Sequence, residues 1–229
     1  MAGRGVPSLR RQQPRREPKR RFVIVCEGRN TEPEYFSALQ ALFTNALIEF
    51  IIHRAAGTPM TIAARTREIA KQGKVARYRR GRSDSFEEND QIWAVFDRDD
   101  HPNFSEAVNR CEMGGVRVAR SNPCFELWLI LHKVDFNGTD DRHAVQSCLR
   151  AHCPEYDPRQ GKRVNCAALL GQIADAERRA ERQLSARDAE GDPFGRPSTT
   201  VFQLTQEIRL AAEAYAPTPV SANPANRGR

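Results

Sequence analysis

The sequence predicts an α/β fold: a mainly parallel sheet in the first part of the chain, followed by a helical C-terminal half. Three observations predict it. Short apolar, β-branched runs alternate with stretches of helical periodicity. Turn and capping residues stand between them, and strand signals cease after about residue 135. Strand–helix alternation favours parallel pairing, because each crossover helix returns the chain to the same end of the sheet.

The first strand is Phe22-Val23-Ile24-Val25-Cys26, apolar throughout and so suited to burial on both faces. Glu27-Gly28 ends it in a turn. Thr31-Glu32-Pro33-Glu34 then reads as a capping box with Pro in the first helical turn, and Tyr35, Leu39, Leu42 and Ala46 supply that helix's inward stripe. Leu47–His53 is a second strand. Thr61–Gln72 is a second helix, with Gly73 as its stop. A third strand, Gln91–Phe96, ends in Asp97-Arg98-Asp99-Asp100. A helix follows near Phe104–Met113, then Gly114-Gly115, a short strand Val116–Ala119, and a helix opened by Asn122-Pro123. Beyond that, helices are expected near 140–151, 162–187 and 199–214, the middle one with Leu169, Ile173, Ala176, Ala180 and Leu184 on one face. The resulting organisation is a basic tail without regular structure over 1–21, an α/β core over 22–134, a helical extension packed on it over 135–215, and a Pro- and Asn-rich tail over 216–229.

The 229 residues are 39% hydrophobic and 28% charged, enough to bury a substantial core beneath a polar surface. No apolar run approaches the roughly 18 residues of a membrane span, and the N-terminus has no apolar stretch resembling a signal sequence. The net charge of +7 is concentrated: residues 1–21 hold eight basic side chains and one acid, leaving 28 of each in the remainder. A basic tail of this kind suits nucleic acid or another anionic partner, and equally a solvated extension. None of the six cysteines forms a C-x-x-C pair, and Cys26 and Cys124 sit in apolar segments as small hydrophobes. A reducing cytoplasmic location is therefore expected. The spacing of His143, Cys148, His152 and Cys153 matches no common zinc pattern.

Parallel α/β sheets bind ligands beyond the carboxyl ends of their strands. Two expected strands end there in acids: Glu27 after the first, Asp97 and Asp99 after the third. An Asp-x-Asp pair continuing a strand projects both carboxylates to one side. Such hard oxygen ligands suit Mg²⁺, which takes a few carboxylates and completes its shell with water and phosphate oxygens. The alternative is that the acids simply begin polar loops. Glu126, set among Phe125, Leu127, Trp128 and Leu129, must find a cation or donor or stay protonated. It fits a site role and a structural role, such as pairing with Arg120, about equally. Lys74, Arg77, Arg79, Arg80 and Arg82, with Tyr78 among them, form the best internal nucleic-acid element, although a solvated basic loop fits the same residues. His132 reads as a capping or core histidine.

The glutamate-and-DxD combination resembles the Toprim domain of topoisomerases, primases and OLD-type nucleases. Val25-Cys26-Glu27-Gly28 with Thr31-Glu32-Pro33-Glu34-Tyr35-Phe36, then Phe96-Asp97-Arg98-Asp99-Asp100-His101, then Ser121-Asn122-Pro123-Cys124-Phe125-Glu126-Leu127-Trp128, then Pro197-Ser198-Thr199-Thr200-Val201, is similar to the RloB-like family. The resemblance spans about residues 22–214 and leaves the basic tail outside it. It implies a Toprim-like core and a metal-dependent nuclease acting on DNA or RNA. The implied setting is a prokaryotic phage-defence or abortive-infection system with an AAA-type ATPase as partner. Carried over by position, Glu27 matches the Toprim glutamate and Asp97 and Asp99 the DxD, and these would hold Mg²⁺, with Mn²⁺ as substitute; Glu126 stands beside them as a supplementary catalytic candidate. Asp100 and His101 stand beside them as supporting polar groups. Arg98 or Arg29 could stabilise developing phosphate charge, or simply balance the acids beside them. Three acids are few for a two-metal nuclease. The alternative reading is a non-catalytic regulatory or nucleic-acid-sensing subunit docked on the ATPase. No G-x-x-x-x-G-K-[ST] loop occurs, so ATP dependence would come from that partner.

Overall fold

Residues 20–43, 48–55, 57–80, 90–138, 141–157 and 161–214 are described by the computed structural model. The two tails read from the sequence lie outside these residues, except that Arg20 and Arg21 are strand residues and the C-terminal helix ends at Ala214.

The chain runs β1 (Arg20–Cys26), α1 (Thr31–Leu42), β2 (Ile48–Arg54), α2 (Pro59–Arg80), β3 (Gln91–Asp97), α3 (Phe104–Met113), β4 (Arg117–Asn122) and α4 (Glu126–Leu131). It continues through α5 (Arg142–His152), α6 (Cys166–Leu169), a 3-10 turn at Leu170–Gln172, α7 (Ile173–Ala189), β5 (Ser198–Thr199) and α8 (Val201–Ala214). The sheet order is β2-β1-β3-β4-β5, parallel except at β5. The mixed α/β class and mainly parallel sheet are those the sequence predicts, and β1 and β3 are direct neighbours.

Alternation along the strands explains why apolar runs are required. Phe22, Ile24 and Cys26 of β1, with Trp93 and Val95 of β3, enter one core together with residues of α1, α4, α7 and α8. Val25, Ala94 and Phe96 point the other way, into a second core with Ile62 and Ala63 of α2 and Phe104 and Val108 of α3. Helices thus cover both faces, and each fully buried large side chain contributes roughly 1.5–3 kcal/mol.

Four local expectations are corrected. Gly73 does not stop the second helix; α2 continues to Arg80, because a single internal glycine costs only about 1 kcal/mol against good helix formers such as Lys71, Gln72, Lys74 and Ala76. The stretch holding Lys74, Arg77, Arg79 and Arg80 is therefore helical rather than a loop, while Arg82 lies outside the described residues. The 162–187 helix is divided, with α6 capped by Asn165, whose side chain accepts from the Ala168 N–H, and α7 beginning only at Ile173. The C-terminal half also contributes a strand: Thr199 pairs with Ser121 through both backbone register and a 2.9 Å hydroxyl contact, and the Thr200 N–H donates to the Arg120 carbonyl at 2.8 Å. Among the described residues no helix is long and apolar enough to cross a membrane, and all six cysteines are free.

Candidate functional site

The carboxyl ends of β1 and β3 meet in a cleft of about 570 Å³. Its lining includes Glu27, Glu32, Asp97, Asp99 and Glu126, with Arg29, Arg142 and Lys162 as the cations. All four acids expected from the sequence are therefore brought together, and Glu32 joins them.

Glu27 follows β1 while its backbone still pairs with β3, its N–H donating to the Val95 carbonyl at 2.9 Å. Its side chain crosses to β3, where Oε2 accepts the Asp97 N–H at 3.0 Å. Oε1 lies 3.8 Å from His101 Nε2. Burial, opposed by the Asp97 N–H and reinforced by the Asp99 charge, pushes the Glu27 carboxyl up to about 7. Burial, together with the charges of Glu32, Glu126 and Glu27, also raises the Asp97 carboxyl well above the ordinary range.

Asp99 reaches the cleft by a different route from that expected. The strand ends at Asp97, so the pleat does not carry Asp99 to the same side. The backbone instead turns, with Asp99 in a left-handed conformation (φ 40°), which aspartate tolerates better than most residues. Its N–H donates to the Pro123 carbonyl at 3.1 Å, and its carboxylate pairs with the Arg142 guanidinium. Arg142 is the first residue of α5, placed there by the Asp141 cap, whose side chain accepts from the His143 and Ala144 N–H groups.

Glu32 is the acid that sequence reasoning missed. The Thr31–Glu34 capping box does not form: Asn30 precedes the helix without a side-chain cap bond. Glu32 instead turns back and accepts the Gly28 N–H at 3.1 Å. A Cβ on residue 28 would stand 1.9 Å from Glu32 Oε2, so glycine is required for this approach. Glu32 is only 6% exposed, and burial with the nearby Glu126 charge pushes it up to about 7.

Glu126 is paired, though not with Arg120. Lys162 Nζ lies 3.0 Å away, the Tyr156 hydroxyl donates at 2.6 Å and Gln146 Nε2 at 3.3 Å. Burial alone would raise its pKa, but the Lys162 charge and hydrogen bonds from Tyr156 and Cys124 hold it below the usual carboxylate range. Arg120 is occupied by Ser198 and the Pro193 carbonyl. Lys162 is delivered by two bonds from the start of α1: Asn30 Nδ2 to the Gly161 carbonyl at 3.1 Å, and Thr31 Oγ1 to the Lys162 carbonyl at 3.2 Å. No local pattern around Arg142, Tyr156 or Lys162 signals these roles.

Other candidates separate from the cleft. Arg98 is turned to the Phe194 carbonyl and the Phe104 ring, whereas Arg29 lines the cleft. Asp100 is exposed and reaches Arg196 at 3.4 Å. His132 is fully buried, a core residue.

Five carboxyl groups share the cleft with three cations, and carboxyl oxygens are the donors a hard divalent cation prefers. Among the described residues, no group of three or more His, Cys, Asp or Glu side chains forms a ready-made metal cage. Mg²⁺ does not demand one, since it is commonly held by one or two carboxylates plus water and substrate oxygens. The donor chemistry thus fits such an ion.

A family model described as RloB-like protein matches residues 22–208. No curated protein and no solved structure shows a significant match.

Proposed function

Because the chain belongs to the RloB-like protein family, we propose that it is a Mg²⁺-dependent phosphodiesterase acting on DNA or RNA. The observation that carries this reading is the convergence of Glu27 with Asp97 and Asp99 in one cleft, fixed by the Glu27–Asp97 backbone bond. Glu27, Asp97 and Asp99 would hold Mg²⁺ or Mn²⁺. When bound, such an ion polarises a phosphate oxygen and acidifies a water.

The protein's own groups supply the rest. As an alternative to ligating the ion, Glu27, pushed up to about 7, would exchange a proton near neutral pH, as a general acid or base must. Arg29, Arg142 and Lys162 line the same cleft and offset phosphate charge. Asn30 and Thr31 hold the Gly161-Lys162 segment against the start of α1, which keeps Lys162 at Glu126. Glu126, ionised by that pairing, orients Lys162 and Tyr156 rather than exchanging protons.

The test is cleavage of single- and double-stranded DNA and RNA with Mg²⁺, Mn²⁺ or EDTA, beside Asp97→Asn. Metal-dependent cleavage lost in the variant supports the reading. Full cleavage by Asp97→Asn refutes this assignment of the site.

A second reading is favoured by the Arg142–Asp99 and Lys162–Glu126 pairs, which already neutralise two of the acids. In it the chain is a non-catalytic, nucleic-acid-sensing subunit docked on an AAA-type ATPase. Either reading suits a prokaryotic phage-defence or abortive-infection system. Metal binding without cleavage, together with co-purification of an ATPase, would favour the second.

A further inference from the structure

A groove of about 510 Å³ lies apart from the acidic cleft, between α7 and the segment that follows α4. Arg179, Arg182, Gln183 and Arg187 line it from successive turns of α7, facing Asp135 and Asn137. Three of its polar groups are committed to shaping it. Arg179 donates to the Leu131 carbonyl at 2.6 Å, Arg187 to the Arg196 carbonyl, and Gln183 Nε2 to the Phe136 carbonyl.

Two others are left over. Gln183 is 6% exposed, yet its Oε1 has no hydrogen-bond partner, and neither does the buried Nε of Arg187. Both atoms are closed to solvent, so the ligand chemistry is set by the guanidinium groups of Arg179 and Arg182, whose forks hold the Asp135 carboxylate and suit an anionic oxygen, with Asn137 beside them. A phosphate with a neighbouring sugar hydroxyl or base amine has that chemistry. Asp135 occupies the anion's place meanwhile, 2.6 Å from Arg182 and 3.8 Å from Arg179.

Contacts link the groove to the turn that follows Asp97 and Asp99. Arg187 holds the Arg196 carbonyl, and the Arg196 guanidinium reaches Asp100, the residue after the Asp97–Asp99 pair. We propose that this groove grips a backbone phosphate of a nucleic-acid strand whose reacting phosphate lies in the acidic cleft, an inference that rests on the phosphodiesterase reading and gives it a binding track. It differs from the sequence expectation, which placed the nucleic-acid contact on Lys74–Arg82.

The test uses the full chain in EDTA, so that binding is read without cleavage, with labelled single-stranded RNA and DNA oligonucleotides. Arg182 and Asp135 are each 61% exposed, and their replacement leaves the core intact. Arg182→Gln should weaken binding about fivefold at about 0.1 M salt and flatten the log–log salt slope by about 0.7, the worth of one single-strand phosphate. Asp135→Asn, which removes the competing acid, should tighten binding. Inorganic phosphate and a nucleoside monophosphate should compete poorly, since a strand engages the groove and the cleft together. Unchanged affinity in both variants overturns the proposal, as does a monophosphate that binds while the strand does not. Cleavage is scored separately: cleavage with unaltered variant affinities removes the groove and keeps the phosphodiesterase reading. Altered affinities with no cleavage under any metal do the reverse.

Discussion

The Glu27 carboxylate accepts the backbone N–H of Asp97 at 3.0 Å across 70 residues of sequence, joining the end of one strand to the acidic turn of the next. One side chain therefore has two duties: it fixes the turn and carries a proton near neutral pH. Glu27→Gln separates them, because the amide oxygen can still accept that N–H while the charge is gone. In EDTA, wild-type Glu27 has a folded pKa of about 7 against an ordinary 4.5. Its stabilising contribution is therefore full below 4.5 and is lost as pH rises through 7. The loss is on the order of 2–3 kcal/mol. Thermal unfolding should show Glu27→Gln near wild type in acid and several degrees more stable at about pH 8. Added Mg²⁺ should narrow that gap by stabilising the wild type. A pH-independent difference refutes the assignment, and cleavage should be lost in the variant.

Gly28→Ala tests the Glu32 carboxylate. The new methyl would stand 1.9 Å from Glu32 Oε2, and the flexible end of that side chain yields before the backbone does. The variant should fold with stability within about 1 kcal/mol of wild type, since most substitutions away from packed cores cost little. Cleavage or Mg²⁺-induced thermal stabilisation should fall nevertheless, because an acid has left the cleft. Undiminished metal response would show that Glu32 contributes nothing there.

What the sequence disclosed, and what it hid, divides along physical lines. Glu27 and Asp97 were legible because they end apolar runs, and a parallel sheet places all its strand ends together. Asp99 reached the cleft as expected, but through a left-handed turn and the Arg142 pair rather than through the pleat. Glu32 was hidden by a Thr-x-x-Glu pattern that imitates a capping box; its use depends on a glycine four residues earlier. Lys162 could not be read at all. Its position rests on Asn30 and Thr31 bonds spanning 131 residues, a tertiary fact without local periodicity. The strand at Ser198–Thr199 was missed because two residues carry no alternation to detect.

The Lys162–Glu126 pair invites a double-mutant cycle. Lys162→Met leaves Glu126, itself 2% exposed, with Tyr156 and Gln146 as donors and without its ion-pair partner. Breaking a buried pair from one side costs about 3–5 kcal/mol, and the figure here should lie lower, near 2–3, because the Lys162 side chain is 34% exposed. Glu126→Gln should restore most of that loss in the Lys162→Met background. Urea unfolding of the four proteins checks it, and additive effects would mean the pair is not coupled.

His132 gives a pH dependence of opposite sign to that of Glu27. Its Nδ1–H donates to the Trp128 carbonyl at 3.0 Å, so in the neutral ring Nε2 accepts the Tyr35 hydroxyl at 3.1 Å. Burial, aided by the charges of Lys133 and Arg179 and opposed by the Trp128 carbonyl, lowers its pKa from 6.5 to about 4. A depressed histidine stabilises the fold fully above 6.5, and the contribution is lost as pH falls through 4. The loss is on the order of 3 kcal/mol. His132→Gln, neutral at every pH, should be less stable than wild type near pH 7, where ring packing against Tyr35 and Trp128 is lost. It should nevertheless lose less stability on acidification. Glu27 and Glu32 titrate in both proteins with the opposite sign, so the difference between the two pH profiles isolates His132. Urea unfolding at about pH 7 and about pH 4 measures it. Parallel profiles would mean that His132 takes up its proton without disturbing the core.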